Sequence, residues 1–163
     1  ARLAPQVGRV MINANRNEAA YGSLGLPVIA DRLPGFAGPL SGLHAALAHA
    51  RAPLVATAPC DSPLLPIDLV PRLAAALQKS GATIAVARCG GRTHPVFCLC
   101  RQVVLPALEQ TILSGELRFE RWIRAQHHVE VDFDDQPEAF TNLNTAEDLA
   151  RFEAELQARL SIS

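Results

Sequence analysis

The sequence predicts an α/β protein built on one open, mostly parallel β-sheet. Short apolar runs alternate with segments of helical periodicity along the chain, and residues 54–58 are apolar or small without polar alternation. Such a run is typical of a parallel strand that is covered on both faces. Pro59 and Pro63 prevent this strand from continuing. The chain must therefore leave the sheet there.

The other elements follow from local patterns. Strands are predicted at residues 10–12, 27–30, 53–58, 83–87, 95–99 and 129–133. Helices are predicted at residues 39–49, 68–78, 102–112, 118–126 and 145–160. Leu40, Leu43 and Leu47 share one face of the first helix, and the two glycines within 89–92 predict a turn. Because every gap between elements is short, we expect one domain over residues 1–163.

The start of the last helix carries its own signal. Thr145 is followed three residues later by Asp148. This spacing resembles a capping box in which Asp replaces the usual Glu. The helix is therefore predicted to begin at this pair.

Composition excludes several classes of protein. The chain has 163 residues and a net charge of −1, which gives no electrostatic reason to expect nucleic acid or an anionic membrane as a partner. No apolar stretch approaches the roughly 20 residues of a membrane span. The cysteines form no CxxC pair, and we expect reduced, mostly buried thiols in a cytoplasmic protein; they are Cys60, Cys89, Cys98 and Cys100.

Polar side chains follow several of the predicted strands or extended segments. They are Asn13, Asp31, Asp61 and Asn142. In a parallel sheet these positions gather at one edge, where ligands bind. Singly, Asn and Asp are also common turn formers, and Asp61 could instead cap the nearby helix. A lone carboxylate after a buried strand suits Mg²⁺, which takes one or two protein carboxylates and completes its shell with water and phosphate.

The small-residue segment 37–42 has two interpretations. Its turn can bring backbone donors close to a phosphate. It can equally be a tight turn into a helix, with Pro39 near the first helical position. The second interpretation is favoured by the sequence alone.

Five short motifs along the chain together resemble those of a known protein family. The motifs are Asn-Ala-Asn-Arg at 13–16, Gly-Pro-Leu-Ser-Gly at 38–42, Pro-Cys-Asp-Ser-Pro at 59–63, Thr-His-Pro at 93–95 and Asn-Leu-Asn-Thr-Ala-Glu-Asp-Leu at 142–149. In their order and spacing they resemble the molybdenum cofactor guanylyltransferase family. The resemblance covers nearly the whole chain from residue 10 to residue 155.

The resemblance implies a Rossmann-like, three-layer nucleotidyltransferase fold and a reaction. GMP from GTP would join the terminal phosphate of molybdopterin bearing molybdenum, with release of pyrophosphate. Asp61 would be the catalytic ligand of Mg²⁺, and Asn13 and Asp31 would contact the guanosine part of the nucleotide. A further set would face molybdopterin: Asn142, Asn144, His94 and Arg118, with Arg92 as a weaker candidate for its phosphate.

The resemblance also leaves alternatives open. Family members begin with a strand and a glycine-rich loop that holds the triphosphate, and neither is found in this sequence, so we expect an N-terminally incomplete domain. A related enzyme that transfers CMP or acts on a sugar phosphate would share the fold and Asp61. A non-catalytic molybdopterin-binding module is the remaining alternative. Transfer of the product to a molybdenum insertase or an enzyme chaperone is implied by family resemblance only.

Overall fold

The computed structural model describes residues 2–33 and 38–160. The strands are β1 (Ile12–Asn13), β2 (Val28–Ile29), β3 (Leu54–Thr57), β4 (Ile84–Cys89), β5 (Arg92–Arg101) and β6 (His128–Asp132). The helices are α1 (Glu18–Gly22), α2 (Pro39–His49), α3 (Leu69–Ser80), α4 (Leu105–Leu113), α5 (Phe119–Arg124) and α6 (Ala146–Leu160). Short 3₁₀ turns lie at Ala4–Gln6, Gln102–Val104 and Pro137–Phe140.

The larger sheet has four strands in the order β3-β5-β4-β6. β4 and β6 pair in parallel, whereas β5 pairs antiparallel with both β3 and β4. Strands β3, β4 and β6 therefore run in one direction and β5 alone runs against them. The reversal follows from the two-residue turn between β4 and β5, where Gly90 and Gly91 have φ of 57° and 73°. Two-residue hairpin turns need such positive φ values and join antiparallel strands.

The second sheet is the parallel pair β1 and β2, with Ile12 opposite Val28 and Asn13 opposite Ile29. Helix α2 contacts β1 and also contacts β3 of the larger sheet. The helix therefore connects the strand that carries Asn13 to the strand that leads to Asp61.

Alternating residues of the central strands form two separate hydrophobic cores. Ile84 and Val86 of β4 pack into one core with residues of α2, α4 and α5. Ala85 and Ala87 pack into the other core with residues of α3. Since both faces of the sheet are covered by helices, the architecture is the three-layer α/β arrangement that the sequence predicts.

The first core contains the single tryptophan of the chain. Trp122 is 1% exposed and its ring centroid lies 5.9 Å from that of Phe119. Both residues belong to α5, whose apolar side chains point toward the sheet. This short helix is therefore fixed by burial rather than by its length, since six residues make a marginal helix alone.

Most element boundaries agree with the sequence prediction. Helix α2 occupies the predicted residues, with Gly38 before it in a positive-φ conformation and Pro39 at its first position. This start confirms the tight turn; residues 34–37, which include part of the predicted small-residue segment, lie outside the described residues. Strand β5 is longer than predicted, and helix α1 was not predicted from the sequence at all. None of the described helices combines the length and apolar composition needed to cross a bilayer.

Candidate functional site

Asp61 lies in the tight loop that follows β3. Its backbone oxygen accepts a hydrogen bond of 2.8 Å from the backbone N–H of Leu143. In the described part of the chain, its Oδ1 is buried and has no hydrogen-bond partner. Helix α3 begins later, after Asp68, so Asp61 does not cap it. An unpartnered buried carboxylate oxygen is costly, and its presence here indicates a site where a ligand completes the environment.

A cleft of about 380 Å³ opens beside this loop. Two segments that are distant in sequence form its walls: Cys60, Asp61, Pro63, Leu143, Asn144, Thr145, Ala146 and Leu149. Cys60 is exposed, unlike the other three cysteines, which are buried free thiols. The cleft therefore combines one carboxylate with a mostly apolar wall.

The second wall is held in place by hydrogen bonds. Ser62 is 6% exposed, and its Oγ donates to Oδ1 of Asn142 at 2.8 Å. Thr145 Oγ1 accepts from the backbone N–H of Asp148 at 3.0 Å, while Asp148 Oδ2 accepts from the backbone N–H of Thr145 at 3.1 Å. These reciprocal bonds confirm the predicted capping box. The hydroxyl of Thr145 also lowers the pKa of Asp148.

A second polar cluster lies at the ends of β1 and β2. Asn13 Nδ2 donates to Asp31 Oδ1 at 3.0 Å and to the backbone oxygen of Ile29 at 3.2 Å. Asn15 Nδ2 donates to Asp31 Oδ2 at 2.8 Å, and Asn15 Oδ1 accepts from the backbone N–H of Asp31 at 2.8 Å. The structure thus brings Asn13 and Asp31 together, as the strand-end argument predicts, and adds Asn15.

Gly42 makes room for this cluster from the side of α2. A Cβ atom at position 42 would lie 2.7 Å from Oδ1 of Asn13. Two hydrogen bonds fix the Asn13 amide, so it cannot move aside cheaply. The Gly-Pro-Leu-Ser-Gly motif therefore ends in a glycine because an amide packs against it.

His44 is the buried titratable group of the same helix. It is 5% exposed, and its Nδ1 has no partner among the described residues. Burial lowers its pKa, an effect that the charge of Glu109 opposes. The imidazole is therefore held toward its neutral form.

The remaining predicted residues have different surroundings. His94 packs against the rings of Phe97 and Phe140, with centroid distances of 6.0 and 4.6 Å, and burial lowers its pKa. Arg118 is exposed before α5, where its backbone N–H donates to Glu116. Arg92 is exposed at the first position of β5. Asn144 lines the cleft beside Asp61.

Asn15, Gly42 and Ser62 are site residues that the sequence alone does not reveal. Each lies inside one of the motifs given above. The feature that could indicate their role is their position relative to the other site residues, and not their residue type. Residues i and i+2 of an extended segment point to the same side, which would have placed Asn15 beside Asn13. Ser62 follows Asp61 directly, and only its partner Asn142, 80 positions away, reveals its use.

The residues around Asp61 fit one hard divalent cation. Among the described residues, no three His, Cys, Asp or Glu side chains gather as a ligand set. Mg²⁺ does not need such a set, because it is commonly held by one or two carboxylates together with water and substrate phosphates. The buried, unpartnered Oδ1 of Asp61 is the fitting protein ligand.

Comparisons with known proteins show which proteins this chain is similar to. A family model described as a MobA-like NTP transferase domain matches residues 1–131. A relative from Cupriavidus taiwanensis named molybdenum cofactor guanylyltransferase is 48% identical over 158 residues, which cover 94% of this chain and 79% of the relative. One of the same name from Bordetella petrii is 48% identical over 152 residues, covering 91% and 77%.

A solved structure supports the fold. Molybdopterin-guanine dinucleotide biosynthesis protein A from Archaeoglobus fulgidus superposes with a TM-score of 0.73 at 23% identity, covering 91% of this chain and 78% of that one. At that level of identity the similarity establishes the architecture alone.

Proposed function

Because the chain belongs to the MobA-like NTP transferase family, we propose that it transfers GMP from GTP to the terminal phosphate of molybdenum-bearing molybdopterin and releases pyrophosphate. Relatives that are 42–48% identical carry the name molybdenum cofactor guanylyltransferase. Within the site, the main support for the proposal is the buried, unpartnered Oδ1 of Asp61 at the wall of the cleft.

Asp61 is the proposed ligand of Mg²⁺. A bound Mg²⁺ would neutralise phosphate charge and stabilise the charge that develops during transfer. The residues beside Asp61 keep its backbone in place through the Leu143 hydrogen bond. Because this bond leaves the carboxylate itself uncommitted on one oxygen, Asp61 can turn that oxygen to a cation without breaking a contact.

Asn13 and Asp31 are proposed to bind the guanosine part of GTP. Their mutual hydrogen bond fixes both side chains before the nucleotide arrives. A preformed edge loses little conformational entropy on binding, which favours affinity. The open position of Asn13 at the surface makes the edge accessible.

The cleft beside Asp61 is proposed to take the pterin end of the acceptor. Leu143, Ala146 and Leu149 supply apolar surface, which suits the faces of a flat ring. Asn144 in this wall, and Asn142 next to Leu143, supply amides. An amide can donate to and accept from a ring edge that mixes both kinds of group. Ser62 fixes the Asn142 amide, so this wall is oriented as well.

Arg118 and His94 are proposed to help with the acceptor phosphate. The exposed guanidinium of Arg118 can supply positive charge. His94 is held toward its neutral form by burial, which lowers its pKa, so we expect it to contribute a hydrogen bond and to support Phe140, four residues before Asn144. Arg92 remains the weaker candidate.

The chemistry requires positioning more than covalent help. The attacking group is a phosphate monoester, whose second pKa of about 6 leaves it ionised near pH 7. No side chain is therefore needed to remove a proton. Holding the two phosphates in line, with water kept from the reacting centre, is the main task of the protein.

The cellular setting is a prediction of the sequence. We propose a cytoplasmic enzyme that hands its product to a molybdenum insertase or to chaperones of molybdenum enzymes. GTP and molybdopterin are the proposed substrates.

The test of the proposed function is the Asp61→Asn variant. This change keeps the size of the side chain but removes its charge, and we expect turnover to fall by about a hundredfold or more, in line with losses of key electrostatic groups. Pyrophosphate release from GTP in the presence of molybdopterin and Mg²⁺ measures the reaction. Equilibrium binding of GTP and CTP with Mg²⁺ tests the choice of nucleotide.

Glu147→Gln is the matched control, because it removes an exposed carboxylate at the start of α6 near the cleft. We expect this variant to keep the activity of the unmodified protein. Full turnover by Asp61→Asn would overturn the assignment of the metal ligand. Preference for CTP would replace guanylyl by cytidylyl transfer, and binding of neither nucleotide would indicate a non-catalytic module.

A further inference from the structure

The amide group of Asn13 has no donor left for a ligand. A side-chain amide carries two N–H donors. In Asn13, Nδ2 donates to the backbone oxygen of Ile29 and to Oδ1 of Asp31. The carbonyl Oδ1 therefore remains as the group that Asn13 can offer, and it is an acceptor.

The orientation of Asn15 is fixed by an independent contact. The backbone N–H of Asp31 can only donate, and it donates to Asn15 Oδ1 at 2.8 Å. This bond places the NH₂ group of Asn15 toward the carboxylate, where Nδ2 donates to Asp31 Oδ2 at 2.8 Å. Asn15 thus holds Asp31 by its backbone and by its side chain at once.

Each oxygen of Asp31 consequently receives one amide N–H, one from Asn13 and one from Asn15. A carboxylate has about four lone-pair positions, so acceptor capacity remains on both oxygens. Without Asn15 the bond from Asn13 to Oδ1 would be the one side-chain contact described here that restrains the carboxylate, because the last torsion of Asp is broad. Asn15 is therefore the residue that fixes its plane.

The result is an edge that presents acceptors only: both oxygens of Asp31 and, beside the backbone of Gly42, Oδ1 of Asn13. Such an edge binds groups that donate and repels groups that accept. The Watson–Crick edge of guanine carries two adjacent donors, N1–H and the 2-amino group, whereas cytosine and adenine place a ring acceptor beside their amino donor. The 2′- and 3′-hydroxyls of ribose are a second pair of adjacent donors.

We propose that Asn15 is a positioning residue that fixes this acceptor-only edge and thereby sets selectivity for a nucleotide with two adjacent donors. The proposal rests on the proposed function, in which Asn13 and Asp31 contact the guanosine part of GTP. Asn15 acts through Asp31 and not on the reacting phosphates. Its loss should change nucleotide selectivity more than the maximal rate.

The test compares Asn15→Ala and Asn15→Asp with Asn17→Gly. Asn15→Asp keeps the shape but sets a carboxylate against Asp31. Asn17 lies two residues on, has a left-handed backbone with φ of 56° and makes no side-chain cap bond, so glycine fits there. Dissociation constants are measured for GTP, for ITP, which lacks the 2-amino group, and for 2′-deoxy-GTP, with kcat measured for GTP.

We expect Asn15→Ala to weaken GTP binding about tenfold and Asn15→Asp to weaken it more, since hydrogen bonds to charged groups are involved. Asn17→Gly should bind like the unmodified protein. If the edge contacts the base, the preference for GTP over ITP falls in Asn15→Ala; if it contacts ribose, the preference over 2′-deoxy-GTP falls instead. Either result supports the proposal.

Two outcomes would overturn it. Unchanged binding of GTP in Asn15→Ala is one, and an equal loss for all three nucleotides is the other, because a merely structural defect would not alter the ratios. Thermal unfolding of each variant shows whether the fold is intact. Asp31→Ala distinguishes failure of the nucleotide site from failure of the role of Asn15. Normal GTP binding in Asp31→Ala would reject the nucleotide site itself. Weak GTP binding in Asp31→Ala with normal binding in Asn15→Ala would reject only the role of Asn15.

Discussion

Asp31 and Asp61 both follow strands, but the hydrogen bonding of their carboxylate oxygens differs. Both oxygens of Asp31 receive amide N–H groups, and its backbone N–H is bonded as well. Asp61 keeps one oxygen buried without a partner among the described residues, although its backbone is tied to Leu143. The first carboxylate is fixed by the protein, and the second is left incomplete.

The difference indicates what each carboxylate is suited to bind. A fixed carboxylate with lone pairs to spare recognises donors in a defined geometry. A carboxylate with an uncommitted oxygen suits a cation, which compensates the cost of burial when it binds. Residue type alone does not separate the two roles, since both positions are Asp after a strand.

Removing Asp31 should give the largest loss of nucleotide affinity. We expect Asp31→Ala to raise the KM for GTP by about 10- to 100-fold, because a hydrogen bond from the nucleotide to a charged group is worth about 1.5–3 kcal/mol. The kcat should change little, in contrast to Asp61→Asn, in which kcat falls. Steady-state kinetics with GTP as the varied substrate measures both quantities. A fall in kcat alone for Asp31→Ala would contradict the contrast.

Filling the space beside Asn13 should have a smaller effect. Gly42→Ala places a Cβ against Oδ1 of Asn13, which displaces the amide, so we expect the KM for GTP to rise about tenfold, the size of one charged hydrogen bond. Gly22→Ala is the control, because a Cβ there meets no atom within 4 Å. Equal KM values for the two variants would show that the close approach has no role in binding.

Loss of the hydrogen bond that fixes Asn142 should weaken binding of the molybdopterin substrate. Ser62→Ala removes the hydroxyl that fixes the Asn142 amide, and we expect the KM for the molybdopterin substrate to rise about fivefold, equivalent to one hydrogen bond of about 1 kcal/mol. The KM for GTP should stay constant. Ser62→Thr keeps the hydroxyl and should preserve the original KM. A rise in the KM for GTP instead would place Ser62 on the nucleotide side.

The smallest effect expected is a change in pH dependence. Burial lowers the pKa of His94 and of His44, so the unfolded chain takes up these protons first as the pH falls. The stability they contribute is complete above about pH 6.5, the ordinary pKa of His, and is lost as the pH drops toward the folded values. His94→Phe should reduce the loss of stability at low pH, and the part of the loss that is due to His44 should remain. Urea midpoints at pH 7.5 and 5.5 test it, and an unchanged difference between them would contradict it.

Much of the fold could be predicted because burial on both faces leaves clear patterns. Helix α2 carries Leu40, Leu43 and Leu47, which are at most 1% exposed, so its periodicity survives in the sequence. The glycine turn after β4 was also predicted, and its two-residue length accounts for the reversed direction of β5. The length of β5 could not be predicted. Thr93 and His94 pair with β4 beyond a register shift after Val86, and such a shift leaves no pattern in the sequence.

The site could be predicted only in part, for a different reason. Asn13, Asp31 and Asp61 stand out because polar residues at strand ends are visible in the sequence. The contacts that complete their surroundings, from Asn15 to Asp31 and from Ser62 to Asn142, join residues 16 and 80 positions apart, and local sequence patterns cannot show these. Helix α1 escaped prediction since its five residues, EAAYG, contain no repeat of apolar positions.

The separation of the two cores on opposite faces of the sheet gives the protein two built-in optical and chemical reporters. Trp122 is the sole tryptophan and lies in the first core, so its fluorescence follows that face alone. The thiol of Cys89 lies in the second core. Because Cys60 is exposed and Cys98 and Cys100 lie in the first core, a colorimetric thiol reagent follows the second face alone in a variant that keeps only Cys89. Recording both signals during one denaturation would reveal whether the two layers melt together or one after the other.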